Sequence, residues 1–583
     1  MYTEFEIREL RFPLHRPMVE KFLADEGLRL EAVDYYAGLF ALGGDELLAG
    51  GGLSGGVIKC IAVSEELRGE AVANRLVSHL ISVLAERGYT NAKLYTKPEN
   101  RSLFESLSFR VLAQAPKAIL MESGTGGIAD YCNYLQRLAQ EAAPQSQGNG
   151  PKGVIVMNAN PFTIGHRYLI QKAAEQTAHL FVIAVKEDCS QFSYQERLSM
   201  IRECCRNLSN VTICEGSDYA ISAATFPTYF LKELSQASDT QMMLDLDLFR
   251  SHIAPALGAT IRFVGSESND ATTRRYNELM LSILPDVRIV ERLCLNGSAV
   301  SATSVRKALA EGDLYRALPL VPTEVTPYLI AHLATQALQQ ELEFTPKPGL
   351  VDCNDNGAHT DMDYSLMQQS IRTLHPYFVQ IARLGFREKL PTLEQLRSIG
   401  LEAEKDMLKA TNGVNTHKGA LFALGLATAA AAYTLFNNKE QKISENDLKS
   451  NIIRMAALFP ATAATHGSEV EKKYGVQGAL TNAQNGYPQL FAEWLAFYNT
   501  ISTDKWAPHK LLLRIISQLC DTNIYHRTDE KGAIWAREQA EKVLNSFSVE
   551  QLESLNRLFI ARNISPGGAA DMLALTLFIR SIT

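Results

Sequence analysis

The sequence predicts a multidomain α/β plus all-α protein: a small α/β domain, a doubly wound α/β domain and a C-terminal all-helical half. Three observations carry that reading. Residues 153–157, Gly-Val-Ile-Val-Met, are an uninterrupted apolar run that suits a parallel strand buried on both faces. Further apolar runs at 180–185, 261–265 and 287–290 alternate with helical periods such as 194–207, the rhythm of a parallel sheet covered by helices. Beyond Pro327 strand-like runs become scarce, and helical periods at 366–384, 396–409, 419–436 and 570–579 take over.

A chain of 583 residues exceeds one core, and roughly three or four domains is the expectation. Residues 140–152, QEAAPQSQGNGPK, have linker composition, and three prolines within 319–327 close the next part. The expected domains are therefore 1–139, 153–322 and 328–583. With 46% hydrophobic and 21% charged residues the composition is that of a soluble globular protein. A net charge of −7, and no basic aromatic stripe, argue against a nucleic-acid partner. The nine cysteines (Cys60, Cys132, Cys189, Cys204, Cys205, Cys214, Cys294, Cys353, Cys520) form no C-x-x-C pair and read as reduced thiols. MYTEFEIREL at the start has no signal-peptide core. Residues 419–436 are uncharged but rich in Ala and Gly, which fits a helix buried in a helical domain better than a membrane span. A cytoplasmic protein without membrane or nucleic-acid partners is expected.

In the first part, residues 36–48 suggest a hairpin turning at Gly43-Gly44, and 57–63 a further strand. Gly50, Gly51 and Gly52 would form a turn between them. A helix follows with Leu76, Leu80, Ile81 and Leu84 on one face. The run Glu65 to Ala73, containing Arg68, Gly69 and Ala71, resembles the acetyl-CoA motif Q/R-x-x-G-x-G/A of GNAT acetyltransferases. In that motif amides at a helix start hold a pyrophosphate. Asn100, Phe104 and Phe109 are similar to a later GNAT segment. Ala71 stands at the motif's first glycine, and Phe104 where an acidic tyrosine is usual. The resemblance implies a GNAT-like acetyltransferase-type domain that binds acetyl-CoA or CoA, as a module without its own catalysis.

In the second part, Asn158, Asn160 and Pro161 break the 153–157 strand, and Thr163-Ile164-Gly165-His166 opens a helix. Unpaired N–H groups and the helix dipole attract phosphate at such a start. The four residues resemble the H/T-x-G-H signature of the nucleotidyltransferase superfamily. Val300-Ser301-Ala302-Thr303-Ser304-Val305-Arg306 is similar to its I-S-S-T-x-x-R element. The wording from Asn160 to His166, the segment 225–230 and Thr273-Arg274-x-Tyr276-Asn277 are similar to citrate lyase ligase, which activates acetate with ATP. The resemblance implies that His166 stabilises the α-phosphate and that Ser304 and Arg306 grip the leaving pyrophosphate. Thr163, Gly165, Ser301 and Thr303 would help bind ATP, and Mg²⁺ would bridge oxygens. Asn160 and Lys152 are further candidates, and Gly265-Ser266-Glu267 follows a later strand of the same sheet. The alternatives are a capping or core role for His166, or adenylyl transfer to another phosphate as in pantetheine-phosphate adenylyltransferases.

The helical half carries six polar clusters: 345–352, 355–363, 413–419, 466–478, 521–527 and 563–571. Together they resemble triphosphoribosyl-dephospho-CoA synthase, which displaces adenine from ATP with the ribose 2′-hydroxyl of dephospho-CoA. The resemblance implies metal or base work for Asp361 and Asp363, phosphate contacts for Lys347, Lys418 and Arg527, and supporting roles for His417 and Asp571. Asp571 would be a third metal ligand. A helix cap or a solvated loop is the bland alternative for Asp361 and Asp363. Leu480, Thr481 and Asn482 depart from the family's Arg, small residue and Glu. The whole chain thus reads as a bifunctional citrate lyase maturation enzyme using ATP and Mg²⁺, with the citrate lyase acyl-carrier subunit as partner and acetate and dephospho-CoA as substrates. An adenylyltransferase of coenzyme A metabolism fused to the synthase, or a non-catalytic assembly scaffold for the lyase, are the competing readings. The synthase chemistry of malonate decarboxylase is an alternative for the helical half.

Overall fold

The computed structural model describes residues 4–67, 72–145, 148, 150–186, 190–219, 237–267, 270–438, 442–460 and 466–583. Arg68, Gly69 and Ala71, Cys189 and the segment 225–230 lie outside the described residues. Two compact units divide the chain, Met1–Val300 and Ser301–Thr583. The division falls inside the 153–322 stretch expected as one domain. The first unit is mixed α/β and the second is helical throughout its described elements.

Unit one holds two sheets. The first contains β1 (Phe5–Glu9), β2 (Tyr35–Ala41), β3 (Ala49–Ser54), β4 (Val57–Val63), β5 (Asn91–Thr96), β6 (Arg110–Ala115) and β7 (Ala118–Gly124), in the order β1-β2-β3-β4-β5-β7-β6. Its pairs are antiparallel except β4–β5, which is parallel at Val57↔Lys93 and Ile58↔Leu94. The three glycines expected to make a turn lie instead within β3. A Cβ on Gly50 would stand 2.5 Å from the Tyr36 hydroxyl, and one on Gly51 would stand 2.9 Å from Leu80. Glycine marks close packing against this strand, not a reversal of the chain. Gly43 and Gly44 do turn, and β3 is the returning arm. The helix Val72–Glu86 lays Leu76, Leu80 and Leu84 on this sheet, with Ile81 only partly buried.

The second sheet is parallel, with order β10-β9-β8-β11-β12: β8 (Lys152–Met157), β9 (His179–Ala184), β10 (Val211–Cys214), β11 (Ile261–Gly265) and β12 (Val287–Val290). Every residue of β9 is buried, as its apolar run predicts. β10 went unpredicted because four residues, Val-Thr-Ile-Cys, carry too little pattern. The strand order reverses at β8, so the crevice past its carboxyl end is the natural ligand position of an open α/β sheet. Two helices serve both cores. Ile128–Glu141 buries Ile128 beneath the first sheet and Leu135 and Ala139 beneath the second. In Ala237–Leu248, Leu244 and Leu248 face the first core, and Met242 and Leu246 the second.

In unit two the helices Thr326–Glu343, Tyr364–Gly385, Leu393–Ala410, Lys418–Asn437, Ala507–Gln518 and Gly567–Ile582 pack around Lys418–Asn437 and Gly567–Ile582. Tyr364–Gly385 runs on through Pro376. Lys418–Asn437 is long and apolar enough to cross a membrane by composition, yet 78% of its most apolar window is buried within the protein. Its Ala and Gly content lets neighbours approach closely. A Cβ on Gly385 would stand 2.3 Å from the carbonyl oxygen of Ala429 and 2.9 Å from its Cα. Backbone cannot give way cheaply, so Gly385→Ala should destabilise the protein by about 1–3 kcal/mol in urea unfolding.

Candidate functional site

In unit one the site grows from the helix Ile164–Ala174. Thr163 caps it, its hydroxyl accepting from the His166 amide at 3.3 Å. In return the Thr163 amide donates to His166 Nδ1 at 3.0 Å. An amide can only donate, so Nδ1 is an acceptor and a neutral imidazole carries its proton on Nε2. Burial, with the nearby positive charge of Arg292, lowers the His166 pKa to about 4. The ring is therefore a neutral donor at physiological pH, held beside the unpaired N–H groups of a helix start. Phe162, fully buried, backs it with ring centroids 5.5 Å apart. A Cβ on Gly165 would meet Thr163 Oγ1 and the Val300 carbonyl at 3.5 Å, ordinary contact, so packing alone does not demand glycine there.

The loop before this helix is tied down from beneath. Asn158 offers its carbonyl and side-chain oxygens to buried Arg197 at 2.8 and 2.6 Å, and Arg197 also donates to the carbonyls of Val185 and Phe192. Asn160 accepts from the Phe192 amide at 3.1 Å and so positions backbone. Lys152 opens β8 at its amino end, roughly 17 Å of strand from Met157, and is removed from the crevice. Past β11, Glu267 pairs with Arg292, and Ser266 accepts from the Arg292 amide at 3.2 Å. Sequence reasoning missed Arg292 and Arg197. Arg292 had a signal, since it follows a strand of the parallel sheet by two residues.

Val300, packed against Gly165, ends unit one, and Ser301 begins unit two. Ser301 caps the helix Ala302–Ala310, accepting from the Ser304 amide at 3.1 Å, with its hydroxyl 2.8 Å from that of Ser304. Arg306 donates to Thr303 Oγ1 at 3.0 Å. Thr303 and Ser304 are exposed. This is a second helix start with hydroxyls and a guanidinium on its rim.

The expected sites of the helical half sort differently. Lys347, 1% exposed, donates to the Glu341 carboxylate at 2.6 Å and to its carbonyl at 2.7 Å. It is a buried ion pair, not an open phosphate contact. Asp363 caps Tyr364–Gly385, accepting from the Leu366 amide at 2.8 Å. Asp361 is exposed, 3.6 Å from His359. Among the described residues no group of three His, Cys, Asp or Glu side chains could hold a metal ion, so Asp361, Asp363 and Asp571 do not assemble into the expected metal site. Lys418 is exposed and pairs with Glu404. Arg527 donates to the Ala358 carbonyl at 2.9 Å, close to His359, whose Nε2 lies 2.7 Å from Ser565 Oγ. The polar loops do meet: Gly349 lies under the Ile564 carbonyl, and Asn556 joins the Gly349 amide to Asp355.

Around the start of Lys418–Asn437 the charge is buried. Asp521 accepts from the Ala569 amide at 2.9 Å and caps the helix Thr522–Arg527, while burial pushes its pKa up to about 6. Burial and then the charges of Asp521 and Glu341 push Asp571 well above the usual carboxylate range, against the Ala420 amide that donates to it. Asp571 stands where a Cβ on Gly419 would be, 2.0 Å away. His417 is buried too, and burial followed by the Lys347 charge lowers its pKa to about 3. Asn482, one of the departing residues, places its amide 4.0 Å from Met572 Sδ, next to Asp571, and Thr481 donates to Glu471.

A family model of the citrate lyase ligase C-terminal domain matches residues 152–329, and one of ATP:dephospho-CoA triphosphoribosyl transferase matches 327–583. The citrate (pro-3S)-lyase ligase of Haemophilus influenzae is 39% identical over 326 residues, covering 54% of this chain and 94% of that protein. The 2-(5''-triphosphoribosyl)-3'-dephosphocoenzyme-A synthase of Haemophilus ducreyi is 33% identical over 328 residues, covering 50% of this chain and 99% of that protein. A crystal structure provisionally assigned as an N-acetyltransferase from Lactobacillus plantarum covers 21% of this chain and 97% of its own at 15% identity. Its TM-score of 0.19 establishes no shared fold. With relatives matched over nearly their full length on both sides, the chain belongs to the citrate lyase ligase family through its first part and to the ATP:dephospho-CoA triphosphoribosyl transferase family through residues 327–583.

Proposed function

We propose that the chain is a bifunctional citrate lyase maturation enzyme. Its ligase part acetylates the prosthetic-group thiol of the citrate lyase acyl-carrier subunit through acetyl-AMP, releasing AMP and pyrophosphate. Its helical part joins the triphosphoribosyl group of ATP to dephospho-CoA and releases adenine. Membership of both families, each over nearly a whole relative, is the observation that carries this reading.

The ligase chemistry is attack by a carboxylate on the α-phosphate of ATP. Charge grows on phosphate oxygens, so the protein needs positioned donors more than a nucleophile. His166 would donate through Nε2–H to the α-phosphate beside the helix amides. Ser301, Thr303, Ser304 and Arg306 would hold the departing pyrophosphate. The N-terminal sheet is read as a GNAT-like module for acetyl-CoA or CoA. Phe104, packed edge-on to Phe109 at 5.9 Å, has no proton to give, which supports binding without catalysis. In the helical part, Arg527 and Lys418 are the cations left for phosphates once Lys347 is committed to Glu341. Among the described residues the carboxylates there gather no group of three that could hold a metal ion, so Mg²⁺ would enter with the phosphates of ATP, held by one or two carboxylates at most.

One pair of assays tests both halves. ATP, acetate and the thiol form of the acyl carrier should yield AMP and pyrophosphate. ATP with dephospho-CoA should yield free adenine. Failure of either product removes the corresponding half, and failure of both leaves the assembly-scaffold reading.

A further inference from the structure

In the parallel sheet of unit one, β8 and β11 pair only at Gly153↔Ile261 and Val154↔Arg262. Each then runs on, to Met157 and Gly265, without pairing to the other. The two strands therefore part toward their carboxyl ends, and a cleft opens where the strand order reverses. One wall is the loop after β8 with the helix start at Thr163 to His166. The loops after β11 and β12 make the other, and they are tied to each other. The Ser266 amide donates to the Val290 carbonyl at 2.9 Å. Ser266 Oγ accepts from the Arg292 amide at 3.2 Å and donates to Glu291 at 3.0 Å. The next residues reach the helix start itself. The Val300 amide donates to the Leu293 carbonyl at 2.9 Å, and the Val300 carbonyl lies 3.5 Å from where a Cβ on Gly165 would stand.

Arg292 is aimed by Glu267. The Glu267 side chain, 5% exposed, takes one guanidinium nitrogen with Oε2 and the Asp270 amide with Oε1 at 3.1 Å. The other guanidinium donors pair with nothing among the described residues, and the Arg292 side chain is 32% exposed. A planar fork held at one corner and open along its other edges suits a phosphate. His166 is its complement. Burial and then the Arg292 charge keep that ring neutral, so it gives a hydrogen bond but brings no charge. Attack of acetate on a phosphate joins two anions, and the positive charge must come from another group. We propose that Arg292, held by Glu267, contacts the α-phosphate of ATP together with His166 and supplies that charge. This assignment rests on the ligase reading given above. In the step it serves, a carboxylate oxygen bonds to phosphorus as the bond to pyrophosphate breaks. The leaving oxygen keeps the electron pair, and no proton moves. Arg292 acts on the non-bridging oxygens, and Glu267 is a positioning residue that acts through Arg292.

The test uses the full-length protein with ATP and with the two diastereomers of ATP that carry sulfur on the α-phosphate, reading pyrophosphate release. Arg292→Lys keeps a cation beside Glu267 but loses the fork, so the melting temperature should hold. Its kcat with ATP should fall by about 100-fold, the loss expected of one transition-state donor. The wild type should favour one diastereomer, because the guanidinium reads a particular non-bridging oxygen. In Arg292→Lys that preference should shift by about tenfold or more. Glu267→Gln should shift it in the same direction by less. An unchanged preference in Arg292→Lys would overturn the contact at any rate, since a residue that only braces the loops slows ATP and both analogues alike. So would a wild-type kcat in that variant, or a wild type that treats the two diastereomers alike. Release of AMP and pyrophosphate from unmodified ATP, acetate and the thiol acceptor by the wild type reports on the ligase reading separately, so the two failures are distinguishable.

Discussion

Replacing His166 with alanine should lower the AMP- and pyrophosphate-forming rate by about 100- to 1,000-fold, the usual loss when one positioned transition-state donor is removed. Adenine release from the helical half should be unchanged. The ring is neutral above about pH 4, so His166 itself should impose no fall in rate between pH 8 and 5. It does link folding to pH. In the folded protein it binds a proton only below about 4, against an ordinary value of 6.5. Between those values the unfolded chain binds more protons, so this group makes stability fall as pH drops through that window. Thermal melting of His166→Ala against wild type from pH 7 to 4.5 should show a shallower decline. An unchanged ligase rate would return the residue to a plain helix cap.

Lys347→Met should destabilise the helical unit by about 3–5 kcal/mol in urea unfolding, because it strands the Glu341 carboxylate in the interior. Pairing it with Glu341→Leu should recover much of that loss, since two apolar groups replace two ions. A phosphate-binding lysine behaves in the opposite way. Its loss would weaken ATP binding and leave unfolding untouched. The two outcomes separate cleanly, and the 2.6 Å contact with Glu341 favours the first.

The parallel sheet was legible because strands buried on both faces are written as unbroken apolar runs, as in Val154 to Met157 and Leu180 to Ala184. The helix start at Thr163 was legible because cap, glycine and histidine lie within four residues. What failed depended on distant partners. Gly50 to Gly52 look like a turn until Tyr36 and Leu80 are packed against them. Lys347 looks like a phosphate ligand until the chain brings Glu341 to it, and Asp363 cannot be told from a metal ligand until the Leu366 amide sits on it.

The helices Ile128–Glu141 and Ala237–Leu248 each give side chains to both sheets of unit one. Cutting the gene at residue 152 would therefore strip Leu135 and Ala139 from the parallel sheet and leave Leu244 and Leu248 without cover. The part of unit one built on the seven-stranded sheet is thereby welded to the part built on the parallel sheet and could not be shed as an independent cassette. Unit one should melt in a single transition, and a protease that nicks the chain near residue 148 should leave two fragments that remain associated.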